Sequence, residues 1–175
     1  MGTELTFCRM PLDRASTLRK NQQWLDEKLN ANDSRFYFYW RGKYLYLDEK
    51  IFVFNREGSI DKLLNVLNTS EFNKIITENA LTFLGTDNNV AIFVCDLSSM
   101  HDVDLKKWLE KLDLINMKFI DFRNSLSLLN QQQGAILSYA KALIHWQRSA
   151  NFCGSCGGKT KAMDGGHRMV CTNDS

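Results

Sequence analysis

Proline is almost missing from this chain: Pro11 stands alone among 175 residues, so its turns fall to glycine, asparagine, aspartate and serine. Long apolar runs are missing as well, and none approaches the ~18 residues a membrane-spanning helix needs. The opening Met1-Gly2-Thr3-Glu4-Leu5-Thr6 lacks the basic and apolar segments of a secretory signal. It matches only the loose N-myristoylation pattern, Gly2 followed by Thr6. Neither sign of charge prevails, since 22 basic residues face 20 acidic ones for a net charge of +2. Such a balance supplies no strong field for a polyanion.

Cysteines number five, Cys8, Cys95, Cys153, Cys156 and Cys171. An odd count without a secretion signal argues against a disulfide framework and for a reducing, intracellular compartment. Cys95 ends the apolar run Ala91-Ile92-Phe93-Val94-Cys95 and reads as a small buried hydrophobe, while Cys8 follows Phe7 in an extended-looking start. At 44% hydrophobic and 24% charged residues the composition is that of a globular protein. The length suits one ordinary domain plus a small appendage.

The pattern along the chain predicts mixed helix and strand, an α+β fold. Trp24–Leu29 reads as a short helix after a basic, loop-like stretch from Arg14 to Lys20. The aromatic run Phe36-Tyr37-Phe38-Tyr39-Trp40 predicts a strand, turned by Arg41-Gly42-Lys43 into Tyr44-Leu45-Tyr46-Leu47. Ile51–Phe54 suggests a third strand, and Leu63, Leu64 and Leu67 a helix starting near Ser59 or Asp61. Leu81–Gly85 and Val90–Cys95 read as a hairpin around the turn Thr86–Asn89. Leu105, Trp108, Leu109 and Leu112 recur at helical spacing, as do Ile136, Tyr139, Ala140, Leu143 and Trp146 or Gln147 in a helix from about Gln131 to Ser149. These stripes, like the aromatic run, are read as core.

The chemistry lies in the tail. Phe152-Cys153-Gly154-Ser155-Cys156-Gly157-Gly158 is followed by Cys171, with fourteen residues between Cys156 and Cys171. Two cysteines two residues apart can turn around one ion, and the glycines behind them let backbone amides swing toward the sulfurs. The interval has room for two short strands and a turn at Asp164-Gly165-Gly166. The spacing predicts most of a zinc ribbon, with Cys153, Cys156 and Cys171 as thiolate ligands of a structural Zn²⁺. A redox C-x-x-C sits instead at a helix N-terminus after a strand, whereas this pair follows a helix. For a fourth ligand, His167 lies on the same face of an extended strand as Cys171 but four residues away, roughly 13 Å along it. Asp174 is three residues past Cys171. The reading expects the true fourth ligand just beyond Ser175, and hence partial zinc occupancy.

Ala140-Lys141-Ala142-Leu143-Ile144-His145-Trp146, the Phe152–Gly157 knuckle and Asp164-Gly165-Gly166-His167-Arg168-Met169-Val170-Cys171 together resemble the NADH pyrophosphatase branch of the Nudix hydrolases, notably its animal peroxisomal members. Weaker echoes are Leu12-Asp13-Arg14-Ala15-Ser16 with Trp24-Leu25, and Phe83-Leu84-Gly85. The resemblance implies a non-catalytic, Nudix-like mixed α/β N-terminal domain (residues 1–125), a connecting helix (126–150) and an incomplete zinc ribbon (151–175). It also implies a catalytic Nudix domain further on, which hydrolyses NAD(H) to nicotinamide mononucleotide and AMP with Mg²⁺ or Mn²⁺, and in some members removes NAD caps from RNA. In animal relatives the fourth cysteine falls five residues after the third; bacterial relatives have it where Asp174 stands here.

Two departures qualify the resemblance. The carboxylate-rich Nudix box has no counterpart, since two adjacent glutamates occur nowhere, and no catalytic residue carries over. Gln147 stands where many relatives have histidine after the tryptophan, and His145 reads as an ordinary helix residue. The expected role is the scaffolding and homodimer-forming portion of an NAD(H) diphosphatase, cytoplasmic or peroxisomal. The alternative is a stand-alone ribbon contacting RNA through Lys159, Lys161 and Arg168.

Overall fold

The structure, a computed structural model, describes residues 10–55, 75, 80–112 and 116–173. Gly2, Thr6, Cys8, Asp174 and the helix expected around Leu63–Leu67 lie outside these residues. No helix among the described residues is long and apolar enough to cross a membrane.

The aromatic run forms β1 (Arg35–Trp40) and turns at Arg41-Gly42, with φ of 46° and 90°, into β2 (Lys43–Leu47). Paired positive φ angles give a turn whose twist matches that of the strands it joins. Asp48-Glu49 repeats the device into β3 (Lys50–Ile51). The third strand is therefore shorter than its apolar run suggests, and pairing resumes only at β4 (Phe54–Asn55), which lies against the start of β1. Asn88-Asn89 makes a third such turn between β5 (Ala80–Asp87) and β6 (Val90–Asp96), so the hairpin is tighter than the expected four-residue loop. β6 then pairs in parallel with β1, from Arg35 opposite Ile92 to Tyr39 opposite Asp96. The strand β7 (Met117–Asp121), which no sequence pattern announces, pairs antiparallel with β2.

Strand alternation divides the core in two. Phe36, Phe38, Trp40, Leu45, Phe93 and Cys95 face one side, where helix α1 (Gln22–Asn30) brings Leu25 and helix α2 (Asp102–Lys111) brings Leu105 and Trp108. A ten-residue helix is marginal alone; burying each large apolar side chain, at roughly 1.5–3 kcal/mol, is what holds α2 in place. Tyr37, Tyr39, Tyr44, Tyr46, Ile92 and Val94 face the other side and meet helix α3 (Gln131–Ser149). Ile136, Leu137, Ala140 and Ile144 are its buried stripe. Tyr139 and Leu143, expected on that stripe, are half-buried at its edge, and Trp146 is exposed. Cys95 is fully buried, and burial pushes its thiol up to about 12, in keeping with a core role.

The echo segments Leu12–Ser16 and Phe83-Leu84-Gly85 touch each other. β5 bulges between Phe83 and Gly85, and Asp13 pairs with Thr86 through backbone bonds of 2.9 and 2.8 Å. Gly85 has φ +150°, and a Cβ there would lie 2.5 Å from the Asp13 carbonyl oxygen. Only glycine admits so close a crossing.

The tyrosine face makes the fold alkali-sensitive. Burial raises the phenols of Tyr37 (to about 12), Tyr39 and Tyr46, and holds Tyr44 well above the ordinary tyrosine range. The unfolded chain gives up these protons first, so their stabilisation is complete below about pH 10 and is lost as the pH rises through the raised values. Tyrosinate absorbance is expected to appear together with loss of circular dichroism. Titration of all tyrosines near pH ~10 with the fold intact would contradict this.

Candidate metal centre

Helix α3 delivers the chain to the cysteines. It begins with a capping box, in which Gln133 N–H donates to Asn130 Oδ1 at 2.8 Å and Asn130 N–H to Gln133 Oε1 at 3.1 Å. It ends when Ala150 N–H closes on the Trp146 carbonyl at 2.9 Å. Phe152 then bridges to Lys159, and Cys153 N–H donates to the Gly158 carbonyl at 2.7 Å. This closes the knuckle, and Gly157, at φ 69°, completes the turn by donating to the Cys153 carbonyl at 2.9 Å. Strands β8 (Thr160–Met163) and β9 (Arg168–Cys171) return Cys171 to the same place, with Thr160 opposite Cys171. The two expected ribbon strands and their Asp164-Gly165-Gly166 turn are thus present.

All three sulfurs lie within 4.8 Å of one another, with Cys156 and Cys171 Sγ 3.4 Å apart as free thiols. Tetrahedral Zn–S bonds of about 2.3 Å demand S···S separations of about 3.8 Å, which this cluster spans. Backbone amides already point at the sulfurs: Gly158 N–H to Cys156 and Asn173 N–H to Cys171, both at 3.4 Å. The backbone N–H groups of Cys156 and then Ser155, followed by the neighbouring thiols, lower Cys153 to about 7. That favours the thiolate a metal takes. Cys153 follows the end of a helix rather than starting one, so no helix dipole activates it for redox chemistry. These three cysteines, clustered on a small hairpin, are able to bind a metal ion.

No fourth ligand joins the cluster among the described residues. His167 does not lie on the extended strand expected for it: it precedes β9, at φ −101° and ψ 0°, and turns toward α3. Its Nε2 lies 2.7 Å from the Tyr139 hydroxyl and its Nδ1 3.2 Å from the Asp164 carbonyl. Burial, with Arg19 nearby, lowers its pKa to about 4, so the ring is neutral near pH 7, donating to Asp164 and accepting from Tyr139.

His167 belongs to a bracket that fastens the hairpin to the domain. Gln147 Nε2 donates to the Gly166 carbonyl at 2.7 Å and to the Thr82 hydroxyl at 3.0 Å. Gly166 has φ +94°, and a Cβ on it would lie 2.5 Å from Gln147 Nε2 and 2.9 Å from Thr82 Cγ2. Arg14, in the stretch expected as loop, stacks its guanidinium 4.7 Å above the Tyr139 ring. Sequence inspection named Gln147 as a departure from relatives and placed it and Tyr139 as candidates for the core stripe of the helix; it assigned neither to the hairpin and did not single out Thr82. Of the three hairpin cations, Arg168 is held by the Asp164 carboxylate at 3.0 and 3.2 Å, leaving Lys159 and Lys161 exposed.

Residues 33–146 match the family described as NADH pyrophosphatase-like rudimentary NUDIX domain. The chain belongs to that family. It is similar to the human protein named NAD(P)H pyrophosphatase NUDT13, mitochondrial, 29% identical over 92 residues, which are 53% of this chain and 23% of that protein. It is also similar to the Arabidopsis thaliana protein named Nudix hydrolase 19, chloroplastic, 42% identical over 41 residues, 23% of this chain and 9% of that one. The chain thus covers no more than about a quarter of the length of these relatives. The family match ends at Trp146, so the knuckle begins just past it.

Gln147→Ala leaves the Gly166 carbonyl without its donor, a loss of about 1–3 kcal/mol for a buried group. Limited proteolysis is expected to cut between Ala150 and Gly158 much faster in that variant than in the parent, and equal rates would refute the bracket. The bracket also weakens in acid. A depressed histidine pKa stabilises the fold above about pH 6.5, and that contribution is lost as the pH falls through about 4. Cutting at the same site should accelerate over this interval in a pH-tolerant protease assay, and His167→Asn should flatten the dependence.

Proposed function

We propose that this chain is the non-catalytic N-terminal portion of a Nudix hydrolase that cleaves the diphosphate of NAD(H), as in the animal peroxisomal branch. Its work is scaffolding. It supplies a rudimentary Nudix domain, joins a second copy as a homodimer, and presents a structural Zn²⁺ ribbon beside a catalytic domain that would hold Mg²⁺ or Mn²⁺ and NAD(H). The observation that carries the reading is the family match over residues 33–146 in a chain without any paired glutamates. A Nudix box uses such carboxylates, on one helix face, to hold the metals that activate water. Cys153, Cys156 and Cys171 fit zinc by donor type and spacing. Zinc bound there would tie the end of α3 to the end of β9, with no part in bond cleavage.

Two measurements test this. Elemental analysis of the purified chain should find zinc, and cobalt substitution should give an intense thiolate-to-metal absorption that Cys156→Ser abolishes. Retention of metal by a variant with all three cysteines replaced by serine would remove these residues from the site. NADH incubated with the chain and Mg²⁺ or Mn²⁺ should remain intact, and turnover that survives rigorous purification would overturn the non-catalytic role. Chelation should disorder residues 151–158 while the Gln147–Gly166 bond holds the far end of the hairpin in place.

A further inference from the structure

The sulfurs of Cys156 and Cys171 face each other at 3.4 Å, although fifteen positions separate them along the chain. Backbone bonds of the hairpin hold them there. Thr160 stands opposite Cys171, and Thr172 donates its N–H and its hydroxyl to the Lys159 carbonyl, both at 2.9 Å. The bond from Cys153 N–H to the Gly158 carbonyl closes the knuckle that presents Cys156. Reaching the disulfide length of about 2.05 Å takes roughly 0.7 Å of movement from each sulfur, well within the reach of side-chain rotation.

Of the three clustered cysteines, Cys156 is the exposed one, while Cys153 and Cys171 are half-buried. Two N–H groups fix the position of its sulfur, one from Gly158 at 3.4 Å and one from the Asn173 side chain at 3.8 Å. The Asn173 amide lies directly over the knuckle, since a Cβ on Gly158 would fall 2.3 Å from its Nδ2. An accessible sulfur with a second sulfur beside it is the arrangement in which oxidation ends in a disulfide. Cys95, fully buried in the sheet, has no such access. Nor is this the chemistry of a C-x-x-C pair at a helix N-terminus, because one partner sits in the knuckle and the other ends β9.

We propose that Cys156 and Cys171 form a redox modification site, which a hydroperoxide closes to a disulfide, withdrawing two of the three thiolates from the metal centre. The Cys156 sulfur attacks one oxygen of the hydroperoxide and the O–O bond breaks. A sulfenic acid is left on Cys156, and the other oxygen departs as an alcohol, or as water from hydrogen peroxide. The Cys171 sulfur then attacks the sulfenic sulfur, the S–S bond forms, and hydroxide leaves with the Cys171 proton as water. Both electrons given up by the sulfurs reduce the peroxide. Cys153 stays behind as a single sulfur donor, too few for a structural zinc site. The disulfide ties the knuckle to the end of β9 and releases Cys153, and with it the end of α3, from that tie. The loss of metal rests on the zinc reading above; the disulfide itself does not.

The test treats the 175-residue chain, as purified and after removal of metal, with tert-butyl hydroperoxide, followed by thiol alkylation and mass spectrometry. The chain should lose the mass of two hydrogens. Trypsin, cutting after Lys159 and Arg168, should yield the peptide of Cys153 and Cys156 joined to the one beginning at Met169, with Cys153 alkylated. Cys153→Ser should keep the cross-link, and dithiothreitol should reverse it. Cys171→Ser should lose it and leave a sulfenic acid on Cys156 that dimedone traps. A Cys153–Cys156 bond as the main product, a bond only between two chains, or oxidation without any cross-link would each overturn the proposal. The peptide map of the unaltered chain decides this even where a variant fails to fold. From the zinc-loaded chain, zinc should leave in step with the disulfide, read with a chelating dye, and zinc retained by the oxidised chain would overturn the withdrawal of ligands. A disulfide formed by a chain that never takes up zinc would remove the zinc reading and leave the modification site standing.

Discussion

The geometry at the cysteine end depends on one close contact, that of Gly165-Gly166 with Thr82-Phe83 on β5. A Cβ on either glycine would fall 2.9 Å or less from an atom of that strand or of Gln147. The absence of side chains therefore lets the hairpin lie directly on the sheet. Gln147 occupies the corner of this contact and bonds both partners, and one step along Tyr139 bonds His167 of the hairpin. The turn of the ribbon is thus held by the domain, while its open end carries the thiols.

Helix α3 couples the two halves because its faces do different work. Ile136, Leu137, Ala140 and Ile144 bury into the tyrosine face of the sheet. Tyr139 and Gln147, on the adjoining face, reach the hairpin, and the helix end passes directly into the knuckle. The placement of Cys153 is consequently an outcome of how α3 packs. The crossing of Leu12–Ala15 over Gly85 supports the same strand from the other direction, by backbone bonds to Thr86.

Much of this was legible in the chain itself. The alternation of Phe36, Phe38 and Trp40 with Tyr37 and Tyr39 announces a strand buried on both faces, and the period of Ile136, Ala140 and Ile144 announces the helix above it. The spacing of Cys153, Cys156 and Cys171 announces thiols able to share an ion, and the hairpin brings the three sulfurs together. Strand β7 was not legible: Met117-Lys118-Phe119-Ile120-Asp121 is a half-buried edge, with no clean alternation to mark it. The break between β3 and β4 was hidden as well, because an apolar run does not record where pairing stops.

Local pattern alone, then, determined the mixed α/β class, the turns, the main strands and helices and the three sulfur donors, since each depends on neighbours within a few residues. Tertiary structure decided which groups meet across long separations. It turned His167 away from the three cysteines and toward Tyr139, and gave Gln147 its two partners. Those outcomes depend on how the sheet, α3 and the hairpin stack in space, and no spacing along the chain encodes that directly.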